Sequence, residues 1–469
     1  MAVGVVGVRP YSRIYSAFRA ALAALACVIL LQPLFVGSLI FVRTHTDLEP
    51  IRRNIVAAYE QGVLSTDEVP RLLINRYGHQ FTECTALQLS LDDEKNVLKA
   101  ALEPQLHSRY ISPCAELLRN AIGTATSERT DYSRYWHGYR LYIWPMLEHV
   151  SLASMRFINA FILLAVLVYF IRSLRIVIGP TPAIILFLVL MSLTDIWRIW
   201  PITPHLLSMV VILAGTGFFA NMYARYRSAT LAIVLAAVLG AIFNFIDFLI
   251  NPPMMPMFLS FIVLAAEPMH NPHPTRQQVL ETLWIPGLTA LSWFGGYALT
   301  WVSKWFLAVW FSDNAGQTMS VIYAQIILRL HGQEIDGPVP MIPLLPTVEM
   351  IIQSFISVGS ITVAILAVAV FVHIRRNWDS FDRRRFFILI SPTLIPIVWF
   401  ELLSNHTQTH SHFTYRSEAA AIAIFFAAVV MAIPAQLPLK SLLKNIRSVL
   451  HRERHRGPVQ SSAGGCDGS

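Results

Sequence analysis

Charge is what this chain has least of. Asp, Glu, Lys and Arg make up only 14% of its 469 residues, against about 25% in soluble domains, and so little charge excludes an ordinary water-surrounded globule. Soluble catalytic signatures are missing too. There is no Walker loop, no GxSxG, no dinucleotide fingerprint, no HExxH and no zinc-finger spacing. Neither an inverted repeat nor a matched pair of broken helices is visible, which counts against a secondary transporter. Cysteine is scarce, at four. Cys27 lies in an apolar run and Cys466 in the tail, so Cys84 and Cys114 are the only two that can meet outside a membrane. They either pair in an oxidising compartment or remain buried thiols.

What the chain has instead is apolar length. Hydrophobic residues make up 55% of it and its mean hydropathy is +0.53. Runs near the roughly 20 residues needed to cross about 30 Å of hydrocarbon lie at 20–42, 151–171, 181–194, 203–222, 229–250, 254–268, 284–302, 348–373, 386–401 and 418–436. The expectation is an all-α polytopic membrane protein with about ten transmembrane helices. Prolines crowd the ends of 181–194 and 254–268, which points to broken or re-entrant segments there. The first run is longer than a signal-peptide core and lacks a small-x-small cleavage site, so it reads as a retained anchor.

Basic residues orient this stack. With 1–19 inside, the clusters Arg172 and Arg175, Arg225 and Arg227, Arg375 to Arg385, and the tail 437–469 all fall on the same side. The positive-inside rule then places both termini in the cytoplasm. The +8 net charge fits contact with anionic membrane lipids rather than nucleic acid.

Outside lie 43–150, expected as a helical cap after the first span, and 303–346, expected as an outer loop whose Pro- and Gly-rich end from His331 is flexible. The cap carries Glu83 in FTECTALQL, and Arg134 and His137 in DYSRYWHGYR, two cationic-capable groups suited to phosphate at head-group height. The tyrosines and tryptophan beside them read as interfacial anchors. Asp247, in FNFIDFLINPP near an outer helix end, needs a partner, either Asn244 one turn earlier or an outer-face cation. Asp195 and Arg198 are placed to pair with each other. Lys304 in VSKWF is a cation on the side that should lack them, either a ligand contact or a snorkelling side chain.

The densest polar cluster is ELLSNHTQTHSHFTYR, 401–416, wedged between two apolar runs. Ionisable groups at a span's end are functional candidates by default. His406 and His410 share a helical face in the manner of metal ligands, but His412 does not, and no acidic trio accompanies them. A divalent metal therefore stays open beside direct phosphate or hydroxyl contacts by His406, His410 and Arg416. NHT at 405–407 is also a glycosylation sequon.

The strings RYWHGY, IDFL, SKW and NHTQTHSHFTYR are similar to those of a set of poorly characterised bacterial polytopic proteins, and the layout resembles the GT-C membrane glycosyltransferases. The architectural likeness covers most of the chain, the strings only a small part of it. What the resemblance implies is transfer of a sugar from a polyprenyl-phosphate carrier to a glycan, lipid or protein acceptor at the outer face of a bacterial cytoplasmic (inner) membrane. It implies Glu83 as general base, where that set carries an aspartate. It implies phosphate contacts from Arg134, His137, Lys304 and Arg416, and a sugar-orienting role for Asp247. A membrane acyltransferase centred on His137 or His406, and a flippase or exporter of lipid-linked glycan, are the rival readings.

Overall fold

In a computed structural model the described residues are 10–67, 80–107, 112–125, 129–267, 276–331, 343–356 and 359–433. The expectations for 1–9, for the basic tail 437–469 and for 332–342 of the outer loop fall outside them.

The first helix, α1 (Pro10–His45), has 36 residues, about 54 Å at 1.5 Å per residue. That is longer than a bilayer is thick, so one end continues into the cap. Ala20, Ala24, Val28, Phe35 and Leu39 face inward on it, while Phe18, Leu22, Ile29 and Leu34 are exposed, as suits a helix with lipid on one side. The cap that follows is mostly helical, with α2 (Leu48–Glu60), α3 (Phe81–Ser90), α4 (Val97–Leu102), α5 (Pro113–Ala121) and α6 (Arg140–His149). Two three-residue strands, β1 (Gln105–His107) and β2 (Arg129–Asp131), pair antiparallel within it. Asp47 and Asn96 start α2 and α4 by accepting hydrogen bonds from backbone N–H groups of the first turn. Cys84 and Cys114 are disulfide-bonded, tying α3 to α5.

Beyond the cap come α7 (Leu152–Ile178), α8 (Pro180–Leu193), α9 (Thr203–Tyr226), α10 (Ala229–Ile246), α11 (Met254–Ala266) and α12 (Arg276–Phe311). Then follow α13 (Ala315–His331), α14 (Leu345–Phe355), α15 (Ser360–Arg376), α16 (Arg383–Ile390), α17 (Leu394–Leu402), α18 (Ser404–Thr409) and α19 (Ser411–Met431). Ser151 and Ser228 cap α7 and α10 through their side-chain oxygens. Gly240 of α10 and Gly296 of α12 bring these helices into backbone contact, since a Cβ on Gly240 would strike the carbonyl of Trp293 and one on Gly296 that of Ala237. Cap and membrane helices share one hydrophobic core, in which Phe35 stacks on Phe245 at 4.1 Å and Trp136 meets both rings edge-on at 5.8 Å.

The count of about ten spans does not hold. Six helical segments among the described residues are long and apolar enough to cross a membrane, or seven if a bent pair is one span. The four expected runs that fail do so for three reasons. Helices α8 and α11 have only 14 and 13 residues, about 20 Å each, and α11 is enclosed along almost its whole length. Run 348–373 breaks between α14 and α15, whose axes differ by 96°. In α12 the tryptophans, glycines and Pro286 dilute the apolar character of a helix that is long enough. Within the expected outer loop 303–346, α12 continues to Phe311 and α13 occupies Ala315–His331.

Candidate functional site

One cleft of about 850 Å³ gathers residues from the cap, from the segment after α8, and from α9, α13, α14, α18 and α19. Its composition is lopsided. Arg134, Arg198, Arg329 and Arg416 line it, together with His205, His406, His410 and His412, against Asp195 as the one acid among the described lining residues.

Asp195 is already engaged. Its Oδ1 accepts from Arg416 Nε at 2.5 Å and Tyr415 Oη at 3.1 Å, and its Oδ2 from Arg416 Nη2 at 2.7 Å. This fork-on-carboxylate pair is 3% and 5% exposed, so it locks Arg416 in place rather than offering a free charge. The expected Asp195–Arg198 pair is replaced by it, and the Arg198 guanidinium lies over Trp197 at 4.1 Å. Arg416 in turn holds His205, whose Nδ1 lies 3.4 Å from Arg416 Nη1.

Two further arginines flank Tyr135. The Arg134 guanidinium lies 3.6 Å from the centroid of Tyr132 and 5.5 Å from that of Tyr135. Arg329 donates to the Tyr135 hydroxyl and to the Gln325 carbonyl, and also lies 5.5 Å over the Tyr135 ring. The backbone at Arg134 is pinned, because its carbonyl accepts from the indole N–H groups of Trp301 and Trp305 at 2.8 and 3.2 Å. Neither arginine forms an ion pair among the described residues.

The rings of His406 and His410, on α18 and at its end, lie 4.7 Å apart and tilted by 57°. His406 Nε2 lies 3.1 Å from the carbonyl of Leu249 and must donate to it, which leaves Nδ1 as an acceptor. Burial first, then the neighbouring His412 and Arg329, pushes the His410 pKa down to about 4. At neutral pH the His410 ring is therefore uncharged and carries a lone pair. Among the described residues no group of three or more His, Cys, Asp or Glu side chains is arranged to hold a metal ion.

Four expected site residues lie elsewhere. Glu83 is wholly enclosed. Its Oε2 accepts from Thr203 N at 2.6 Å and its Oε1 from Thr203 Oγ1 at 2.9 Å, so it caps the start of α9 from another part of the chain. Phe81, Thr82 and Thr85 face the cleft from α3. Glu83, two residues past Phe81, points to the opposite face of that helix. His137 is 1% exposed with its ring between Tyr139 Oη at 3.0 Å and the Tyr132 carbonyl at 2.9 Å. Its φ of 58° marks a strained turn that those two bonds hold. Lys304 does not snorkel: it is 0% exposed and donates to the carbonyl of Leu102, fastening α12 to the cap. Asp247 caps a turn, accepting from Ile250 N at 3.0 and 3.1 Å and from Ser208 Oγ at 2.8 Å. That turn holds Leu249 at φ 64°, aiming its carbonyl at His406.

Arg134, His406, His410 and Arg416 thus meet as expected, while Arg329, His205 and Asp195 join them unforeseen. A signal for Arg329 was present as a lone arginine in the apolar run VIYAQIILRLH. The chain matches no protein-family model, no curated protein and no solved structure. What it does must be argued from the cleft.

Proposed function

We propose that the cleft binds the phosphate of a lipid-linked sugar at the membrane surface and transfers the sugar to an acceptor hydroxyl. The observation that carries this reading is the charge inventory of the cleft, four guanidiniums against one carboxylate that is already held by Arg416. A half-buried surplus of guanidinium suits phosphate oxygens, which offer acceptors in the geometry that arginine matches. The phenylalanine and isoleucine side chains that also line it, Phe81, Ile199, Ile202 and Phe248 among them, suit the start of a lipid chain.

In this reading the acceptor oxygen attacks the anomeric carbon, the bond from that carbon to the phosphate oxygen breaks, and its electron pair leaves with the phosphate. Arg134 and Arg329 stabilise the charge developing there, a task that favours preorganised cations in a water-poor site. The acceptor's proton goes to His410, which is uncharged and lines the cleft. An incoming phosphate offsets the field of Arg329, one of the groups holding the His410 pKa down, and so raises the affinity of the ring for that proton. Asp195 is set aside as base because Arg416 occupies both its oxygens. Placement on the outer face of a bacterial inner membrane is supported by the disulfide in the cap, which suits an oxidising compartment.

The test compares lipid-linked and cell-surface glycans in a deletion strain complemented with the wild-type chain or with His410→Gln. The expected outcome is restoration by the wild type and about 100-fold or greater loss of transfer in the variant at normal membrane abundance. A glycan profile unchanged by the deletion would overturn the reading. Export of a lipid-linked glycan is a second reading favoured by Glu418, a carboxylate inside α19 that is 7% exposed, with no hydrogen-bond partner for Oε2 among the described residues. Altered glycan distribution across the membrane with unchanged glycan structure would support it instead.

A further inference from the structure

The charge inventory says more about the ligand once the groups that satisfy each other are removed. Arg416 and Asp195 cancel. Of the histidines, His410 is neutral, and burial holds the His406 pKa well below its usual value, so neither adds a charge. Arg198 is exposed and lies over Trp197, where solvent screens its charge. That leaves two half-buried guanidiniums, Arg134 and Arg329, each lying on Tyr135 and neither in an ion pair among the described residues. Asp131, whose charge acts on Arg134, is turned back on Ser133, accepting from its N at 2.7 Å and its Oγ at 3.0 Å, and does not line the cleft.

Open donors point the same way. Arg134 Nε, Arg329 Nε and His205 Nε2 are all buried from solvent and have no hydrogen-bond partner among the described residues. His205 is fixed as a donor by its neighbour. A guanidinium has only N–H groups to offer, so the imidazole nitrogen facing Arg416 must be the acceptor, and the ring proton sits on Nε2. A buried N–H with no acceptor is costly, and the ring that carries it is 5% exposed and lines the cleft. A ligand oxygen satisfies it.

Resting on the phosphate reading above, we propose that the cleft is built for a diphosphate diester, a lipid–diphosphate–sugar, rather than for a single phosphodiester. The two half-buried guanidiniums that form no ion pair among the described residues match its two permanent negative charges, and the fixed Nε2–H of His205 supplies a neutral donor to a further oxygen. A phosphodiester has one negative charge and would leave one guanidinium unmatched. In transfer, the anomeric carbon–oxygen bond breaks and the lipid diphosphate leaves with the electron pair, while the acceptor's proton passes to His410.

The test uses purified full-length protein in nanodiscs and two synthetic probes of equal chain length that lack any sugar, a prenyl methyl diphosphate and a prenyl methyl phosphate. Binding is measured at fixed ionic strength. The diphosphate is expected to bind about tenfold more tightly or better, the scale of one additional charge-assisted contact. Arg134→Gln and Arg329→Gln should each remove most of that preference, and Arg134→Lys and Arg329→Lys should keep part of it. His205→Phe should weaken both probes, and His205→Gln, which retains a side-chain N–H donor, should recover part of the loss. Thermal unfolding of each variant separates a lost contact from a lost fold. Equal affinity for the two probes overturns the diphosphate assignment and leaves the phosphate reading standing. Failure of the folded wild-type protein to bind either probe overturns both.

Discussion

Glu83 is where two accounts of this protein make opposite predictions. As a catalytic base it would be dispensable for folding and indispensable for transfer; as the cap of α9 it is the reverse. Both of its oxygens are committed to Thr203. Burial, opposed more weakly by Arg156 and by the Thr203 hydrogen bonds, pushes its pKa up to about 7. A carboxyl raised from 4.5 in the unfolded chain to about 7 in the fold contributes stability that is whole below pH 4.5 and is lost as pH rises through 7. At 1.36 kcal/mol per pH unit the loss across that window is about 3 kcal/mol. Glu83→Gln cannot ionise, so the melting temperature of the detergent-solubilised variant should change little with pH over this range, where the wild type falls. Glu83→Ala leaves the Thr203 amide without its acceptor, at about 1–3 kcal/mol, and adds a cavity. It should melt below Glu83→Gln at pH 5. Both variants, assayed below their melting temperatures, should retain the proposed glycan transfer in the complemented deletion strain. A Glu83→Gln protein with the wild-type dependence of melting on pH and no transfer would refute the capping role and return Glu83 to the chemistry.

The buried pair of Asp195 and Arg416 should behave as a unit. Asp195→Asn and Arg416→Gln each strand a buried partner, and each should cost about 3–5 kcal/mol; the double variant, read by thermal unfolding, should lose clearly less than the sum. Replacing Cys84 and Cys114 by serine opens a loop with a sequence separation of 30 residues and should lower cap stability by about 2–4 kcal/mol. Maleimide labelling of the wild-type chain before and after reduction checks that the bond is present.

The sequence made the membrane class and the cap legible because both rest on composition and local periodicity. Apolar runs are counted along the chain, and the six that survive as spans are among those expected. The four that failed did so through information that a hydropathy run does not hold. Helix α11 is almost entirely enclosed by other helices, so its apolar residues answer to protein rather than to lipid, and 13 residues suffice for that. Gly359, at the start of α15, lies so close to the Ser192 carbonyl of a distant helix that no side chain fits there, a contact that hydropathy does not report. Gln325 and Arg329 give α13 a polar side, and that side faces the cleft.

For the site, sequence reasoning located charged and polar groups correctly but misjudged which of them are spent on structure. Asp247, Lys304, His137 and Glu83 share one property: each is enclosed by the fold and finds partners there, in Ser208, the Leu102 carbonyl, Tyr132 with Tyr139, and Thr203. Those partners come from between 2 and 202 residues away along the chain, so local spacing tells a staple from a ligand contact only where the partner is near. A buried ionisable group in a membrane protein must be balanced by something, and in these four the fold does the balancing. Arg134 and Arg329 are different because they are half-buried and face a cavity, with no carboxylate paired to either among the described residues. Charge that the fold leaves unbalanced is the mark of a ligand, and here it selects the two arginines on Tyr135 over the glutamate that the resemblance singled out.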